Sequence, residues 1–321
     1  GLLEVFCSVN DSAYLVEQES VNGFPSNIIY RNEDNGLFAA AVRDTDGDDQ
    51  EELILKDVRD YHILDGADFS QDILLPDVSG GYIGSIAPRV LVEDFDRDGK
   101  VEVVYGDFDG DVLVYEQNGN TYEPVFIDST DLTKSGVYLT AGNFGAGPEL
   151  EFFVAVHTSN LRNSDFEYDA PYWWLRIFQA IGDKSYEVVW EDYVYDIDIE
   201  QYNAVTSGKL DQDIYEELVF TSYPRTYVID FDQANQDYKM DWYFYGSLAT
   251  HHIISDFDGN GVEEIGLGVI DSTVFFEKRI DYNGPFPVLQ LSGNVLGKEK
   301  LRIQWPAIPN ATAYEIIRIR H

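Results

Sequence analysis

One phrase recurs along this chain and limits what it can fold into: a short apolar strand, an acidic loop, then a glutamate opening another apolar strand. It reads AAAVRDTDGDDQEELIL over residues 39–55, RVLVEDFDRDGKVEVVY over 89–105 and HIISDFDGNGVEEIGLG over 252–268. Two weaker copies lie between, LTAGNFGAGPELEFFVA from Leu139 and AVTSGKLDQDIYEELVF from Ala204. The loops open at Asp44, Asp94, Asn143, Lys209 and Asp256, giving spacings of 50, 49, 66 and 47 residues. A period of roughly 50 residues holding several short strands is the pattern of propeller blades, not of a helical solenoid.

The rest of each period predicts four strands per blade. In the second period they are RVLVED, VEVVYG, DVLVYE and YEPVFID, with FDGD as a tight turn between the second and third. Tyr, Val, Ile and Phe crowd these segments, as pleated, half-buried surfaces favour, and no long amphipathic helix interrupts them. The expected fold is therefore all-β, a β-propeller of four-stranded blades. Five motifs mark five blades. The first 36 residues add three more strand-like runs, LLEVFCSV, AYLVEQ and SNIIYR, so six is the expected count, with five and seven as alternatives. Closing the sheets in a ring would remove the exposed edges that so many strands create.

Within a complete loop, acids or amides fall at positions 1, 3, 5 and 9. They are Asp44, Asp46, Asp48 and Glu52 in the first loop, and Asp94, Asp96, Asp98 and Glu102 in the second. The last has Asp256, Asp258, Asn260 and Glu264. Hard cations such as calcium take 6–8 oxygens, and alternate side chains of a tightly coiled loop converge on one point. The backbone carbonyl at position 7 (Gln50, Lys100, Val262) is a further candidate ligand. Position 6 needs a left-handed turn, which Gly99 and Gly261 supply freely and Asp49 at modest cost. An EF-hand would require an acid at position 12 between two helices. Position 12 here is Leu55, Tyr105 or Leu267, each inside a strand, so that reading fails. Asp, Asn and Gly also populate ordinary turns without a metal. Three complete copies in register, each crowding four oxygen-bearing side chains into nine residues, argue for three calcium ions instead.

The pattern D-x-D-x-D-G-x-x-E-[LIV] after an apolar strand resembles the FG-GAP/VCBS repeats of integrin α-subunit propellers and of many secreted bacterial proteins. The resemblance covers residues 37–276. It implies calcium in loops one, two and five for blade stability, with ligands meeting the opposite face. Two copies depart from it. The third loop, with Asn143 first and no central acids, reads as one residue short and is expected to hold no metal. The fourth has Lys209 first, then Asp211, Asp213 and Glu217; its ammonium is a candidate for the cation's place, or else an ordinary solvated lysine.

Net charge bears on partners. Acids outnumber bases 59 to 21, a net charge of −38, which repels nucleic acid phosphates and anionic membranes. It suits a chain that holds divalent cations or meets saline water. Cys7 is the only cysteine, so the fold stands on its core and its metals. No apolar run approaches the roughly 20 residues of a membrane helix. The chain opens at Gly1, as a processed or trimmed chain would.

The long, 66-residue third period contains an insertion, NLRNSDFEYDAP at residues 160–171, followed by Tyr172, Trp173 and Trp174. Lying between second and third strands, it should leave the blade on the face opposite the calcium loops. Exposed aromatics there would stack on sugar rings or anchor a protein; packing between blades is the competing use of a tryptophan. The glycine-rich VSGGYIGSIAP (78–88) is expected on the same face. No G-x-S-x-G, H-E-x-x-H or phosphate loop occurs. His251 and His252 read as neighbours in a strand, pointing to opposite faces and unable to share a metal. Residues 287–320 differ: a Trp closing one strand, a Pro-containing turn, then A-x-x-Y-E-I resembles the first strands of a fibronectin type III module. The expected domains are thus 1–284, the propeller, and 285–321, the partial fibronectin-like segment. Asn10 and Asn310 begin sequons for N-glycosylation. Taken together, the expected role is a secreted or cell-surface calcium-binding propeller, not an enzyme, that captures a protein or glycan in adhesion. A lyase-like polysaccharide-active enzyme and a structural subunit of a surface fibre are the alternatives.

Overall fold

The computed structural model describes residues 3–278, except 22, 33–35, 58, 67, 76–77, 81–88, 131, 133–134, 146–149, 159–171, 195–202, 212, 260 and 270–271. It also describes 292–297 and 300–304. Every regular element among them is a strand, and among the described residues no helix is long and apolar enough to cross a membrane. The plan is that of a six-bladed propeller: six antiparallel meanders follow one another, in step with the repeat.

The first blade is β1 (Glu4–Val9), β2 (Ser12–Gln18) and β3 (Pro25–Arg31); the second is β4 (Phe38–Arg43), β5 (Glu52–Lys56), β6 (Tyr61–Asp65) and β7 (Gln71–Leu75). The third is β8 (Val90–Glu93), β9 (Glu102–Gly106), β10 (Val112–Asn118) and β11 (Thr121–Asp128). The fourth is β12 (Gly136–Gly142), β13 (Glu151–Thr158), β14 (Tyr172–Gly182) and β15 (Ser185–Val194). The fifth is β16 (Asn203–Gly208), β17 (Glu217–Ser222), β18 (Arg225–Asp232) and β19 (Asp237–Tyr245). The sixth is β20 (Ile253–Ser255), β21 (Glu264–Val269) and β22 (Ser272–Phe276), and a separate hairpin pairs β23 (Ser292–Gly297) with β24 (Lys300–Gln304). The four middle blades have the expected four strands; the first and sixth have three among the described residues. The boundary expected at 284–285 lies outside the described residues, as do the Asn310 sequon and most of the fibronectin-like segment.

The chain divides into two compact units. The first is Gly1–Asn143, Gly147–Leu161 and Asp169–Asp198; the second is Phe144–Ala146, Arg162–Tyr168 and Ile199–His321. In the first unit the blades stack face to face, and the period-2 alternation of strands sorts their side chains between neighbours. Leu53 and Leu55 pack with Ala13 and Leu15 of the first blade, while Ile54 between them packs with Val103, Tyr105 and Tyr115 of the third. Val104, Val112 and Val114 turn the other way, onto Phe152, Val154 and Phe178 of the fourth. Both faces of a central strand are thereby covered, which is why β5 and β9 carry apolar runs, Leu53–Leu55 and Val103–Tyr105, after their leading glutamate. In the second unit Val219 and Val228 of the fifth blade share a core with Ile265 and Leu267 of the sixth.

One close approach between blades depends on a glycine. A Cβ on Gly106, at the end of β9, would lie 2.3 Å from Val137 of the fourth blade. Gly106→Ala should therefore cost about 1–3 kcal/mol by overpacking, read as a lower denaturant midpoint with unchanged slope. An unchanged midpoint would show that the seam between these blades is looser than described.

Candidate metal loops

Each acidic loop joins the first and second strands of its blade. Its coil is set by the aspartate at position 1, whose carboxylate accepts backbone N–H groups from across the loop. Asp44 takes Gly47 N at 2.7 Å and Asp49 N at 3.1 Å; Asp256 takes Gly259 N at 2.7 Å and Gly261 N at 2.9 Å; Asp94 takes Gly99 N at 3.1 Å. Position 6 is left-handed as expected, with φ of 68° at Asp49, 92° at Gly99 and 91° at Gly261. Position 4 is left-handed too, at Gly47, Arg97 and Gly259, a second bend absent from the sequence reading.

The coil brings the expected side chains together, except that Glu52 lies outside the cluster of the first loop. Carboxylate oxygens of Asp94, Asp96, Asp98 and Glu102 lie within 4.8 Å of one another, as do those of Asp44, Asp46 and Asp48, and those of Asp256, Asp258 and Glu264. Asn260 lies outside the described residues. Gln50 and Lys100 donate their backbone N–H to Asp48 and Asp98, each at 2.8 Å, which fixes position 7 beside the cluster; Val262, the third such residue, is buried.

The glutamate at position 9 is the most telling member. Glu52, Glu102, Glu217 and Glu264 are all buried. In each, Oε2 accepts the backbone N–H of position 2: Thr45 at 2.6 Å, Phe95 at 2.7 Å, Leu210 at 2.6 Å and Phe257 at 2.7 Å. In each, the other oxygen, Oε1, is buried and finds no hydrogen-bond partner among the described residues. A half-used buried carboxylate is expensive, and here the same half is left open in these four copies. Asp94 Oδ1 is open in the same way.

Electrostatics agree. Burial pushes Glu102 up to about 8, against the Phe95 hydrogen bond and with the charges of Asp96, Asp94 and Asp98 adding to it. Burial raises Glu52 as well, opposed by its bonds to Thr45, and Asp46 is raised by burial and by Asp48 and Asp65. Such crowding is relieved by a cation at the focus of the oxygens. A recess of about 240 Å³ between blades two and three reaches the first loop, lined by Asp46, Glu52, Asp65 and Tyr122 among others.

Two sets of residues escaped the sequence reading. One is an acid on, or in the sixth blade just past, the third strand of four blades, 13 or 14 residues after the glutamate: Asp65, Glu116, Asp230 and Glu277. Glu116 pairs with Glu102 across the ladder, and its Oε1 meets the ammonium groups of Lys100 and, at 3.0 Å, Lys184. The other is a tyrosine at the start of the fourth strand. Tyr122 of blade three bonds Thr45 Oγ1 of blade two at 2.5 Å, and that hydroxyl bonds Glu52 Oε2 at 2.7 Å. Tyr186 of blade four is raised by burial and then by the charge of Glu102 in blade three, so it sits in the corresponding seam. Its signal is the repeated T-Y-E, S-Y-E and D-Y-K after each hairpin turn.

The third loop differs from expectation, and the fourth takes the solvated-lysine alternative for Lys209. Glu151 pairs with Gly142, as Glu102 pairs with Glu93 and Glu52 with Arg43, so the third loop has the full length and is not one residue short. Its central positions are still glycines, Gly145 and Gly147. In the fourth loop Lys209 is exposed, and its backbone N–H bonds Glu263 at 2.7 Å. The ammonium among the acids of that loop belongs to Lys278, 2.7 Å from Asp211.

The expected aromatic platform is only partly there. Trp173 is fully buried, its ring 5.4 Å from Tyr138 and 4.8 Å from His157, so it packs the interior and is removed as a contact residue. Trp174 is half-buried, stacks on Tyr193 at 6.0 Å and lies 4.0 Å from the Arg176 guanidinium. Tyr172 pairs through its backbone with Thr158; residues 160–171 and 81–88 lie outside the described residues. His251 and His252 precede β20 instead of sharing a strand: His252 is half-buried, in hydrogen-bond contact with Thr221 Oγ1 at 2.7 Å, and desolvation lowers it to about 3.

Among solved structures, the chain is similar to the crystal structure of Saccharomyces cerevisiae Sqt1, at 11% identity and a TM-score of 0.45, covering 93% of this chain and 88% of that one. No protein-family model matches the chain, and no curated protein matches it.

Proposed function

We propose that this chain is a calcium-stabilised propeller of the FG-GAP/VCBS kind, acting outside the cell as a binding module and not as an enzyme. The observation that carries the reading is the open, buried Oε1 of Glu52, Glu102 and Glu264, at the same position of three loops that each gather carboxylates, Glu102 and Glu264 within their own clusters. Calcium is the cation that best suits a set made only of oxygen donors in an irregular loop. Its partners are a protein or a glycan, met by the face opposite the loops, where the half-buried Trp174 and the stacked Tyr193 offer apolar area with a polar rim.

Metal analysis and calorimetry on the intact chain test the metal half: three calcium ions are expected, in the loops opening at Asp44, Asp94 and Asp256. With affinities like those of extracellular calcium modules, millimolar calcium would add ~1 kcal/mol of stability per site. No bound calcium, or an ion at residues 143–151, would defeat the assignment.

A further inference from the structure

We infer that the fourth loop is a cation site whose cation is built into the chain: the ammonium of Lys278 occupies the place that a metal ion would take in its sister loops. The geometry is that of the metal loops with the charges rearranged. Asp211, at position 3, and Glu217, at position 9, keep the places of Asp96 and Glu102, and with Asp230 of β18 their oxygens fall within 4.8 Å of one another. Glu217 makes the same backbone lock as its sisters, to Leu210, and leaves the same Oε1 buried and open. Position 1, an aspartate in the complete loops, is Lys209, whose side chain is exposed. Lys278, just beyond β22 of the sixth blade, reaches in with Nζ 2.7 Å from Asp211, 3.2 Å from Asp241 and 3.8 Å from Asp230. Lys239 stands further out, 3.6 Å from Asp230 and 3.9 Å from Asp241.

A lysine here does two things that a metal does elsewhere. It neutralises acids that burial would otherwise force to take up protons, and it ties two blades through a side chain that cannot be chelated away. The fifth and sixth blades are therefore joined in a calcium-independent manner at this seam. Removing the ammonium exposes a latent metal site of three or four carboxylates.

The test is calcium stoichiometry of the full chain and of Lys278→Ala, by calorimetry and metal analysis after dialysis. The variant is expected to bind one calcium more than the parent and to recover in calcium the melting temperature that it loses in chelator. Lys278→Gln, which keeps the stem, is the second variant and should also gain one ion, while Lys278→Arg should gain none. Adding Asp211→Asn to Lys278→Ala should abolish the extra site. A folded Lys278→Ala or Lys278→Gln chain with the parent's stoichiometry would overturn the inference. The outcome is independent of the three-ion reading: a parent that binds no calcium beside a variant that binds one would sink that reading and leave this one standing.

Discussion

In chelator, the stability of this protein should fall as pH rises from about 5 to 8.5, and saturating calcium should remove the part of that slope that belongs to Glu102. The sign follows from carboxyls whose pKa is raised in the folded state. Glu102 and Glu217 are both pushed up to about 8, first by burial, against backbone bonds from Phe95 and Leu210 respectively. Asp107, just before the FDGD turn, is raised by burial and by neighbouring Asp109. Between the ordinary carboxylate range and pH 8 the folded chain keeps protons that the unfolded chain has released, so raising the pH favours unfolding. Above about 8 both states are ionised and the loss levels off. A tenfold difference in proton affinity between the two states is worth about 1.4 kcal/mol, so a partly relaxed site would express on the order of 2–4 kcal/mol over the window. Calcium bound in the second loop would select the ionised form of Glu102 and so cancel its share; Glu217, in the loop served by Lys278, and Asp107, away from the loops, would keep theirs. Melting curves across pH, with and without calcium, decide the matter. A chelated protein equally stable at pH 5.5 and 8.5 would show that these carboxyls are not held as the structure describes.

Trp173→Ala should be the most damaging single aromatic substitution, costing about 3–5 kcal/mol. The side chain has no exposed surface and fills the space between Tyr138 and His157 in the fourth blade. Its neighbour Trp174, partly exposed on the other face of β14 and packed against the core shared with blade three, should cost less, about 1–3 kcal/mol when truncated. Urea denaturation separates the two. If Trp173→Ala melts like the parent and Trp174→Ala does not, the assignment of faces on β14 is reversed. Ligand capture should follow the opposite order once both variants are compared at equal folded fraction.

The contrast between those tryptophans marks where sequence reading stops. Adjacent residues of a strand face opposite sides, so one of the pair had to be interior, but the pattern YWWLRIF is apolar on both faces and does not say which. The loops are legible because their constraint is local. Asp49, Gly99 and Gly261 adopt the left-handed turn that their position demands, and the aspartates converge as their spacing requires. What a local pattern cannot carry is anything supplied by the next blade. Tyr122 lies 77 residues from Thr45, and Lys278 lies 67 from Asp211, distances that only the stacking of blades brings within hydrogen-bond reach. For the same reason the motif points to Lys209, inside the fourth loop, and not to the lysine that serves it. The third loop reads short because Glu149, after Pro148, imitates the acid that in fact stands at Glu151, and only the strand ladder corrects it.

The bond from Tyr122 to Thr45 to Glu52 has a meaning beyond the loop it touches. It makes the join between two blades, not the blade itself, the element that senses whether a loop is charged. In an array where each member touches only its neighbours, cooperativity is the sum of such joins. A disturbance at one loop therefore travels along the chain as a loosened boundary, and damage spreads as a zip opens, from one tooth to the next.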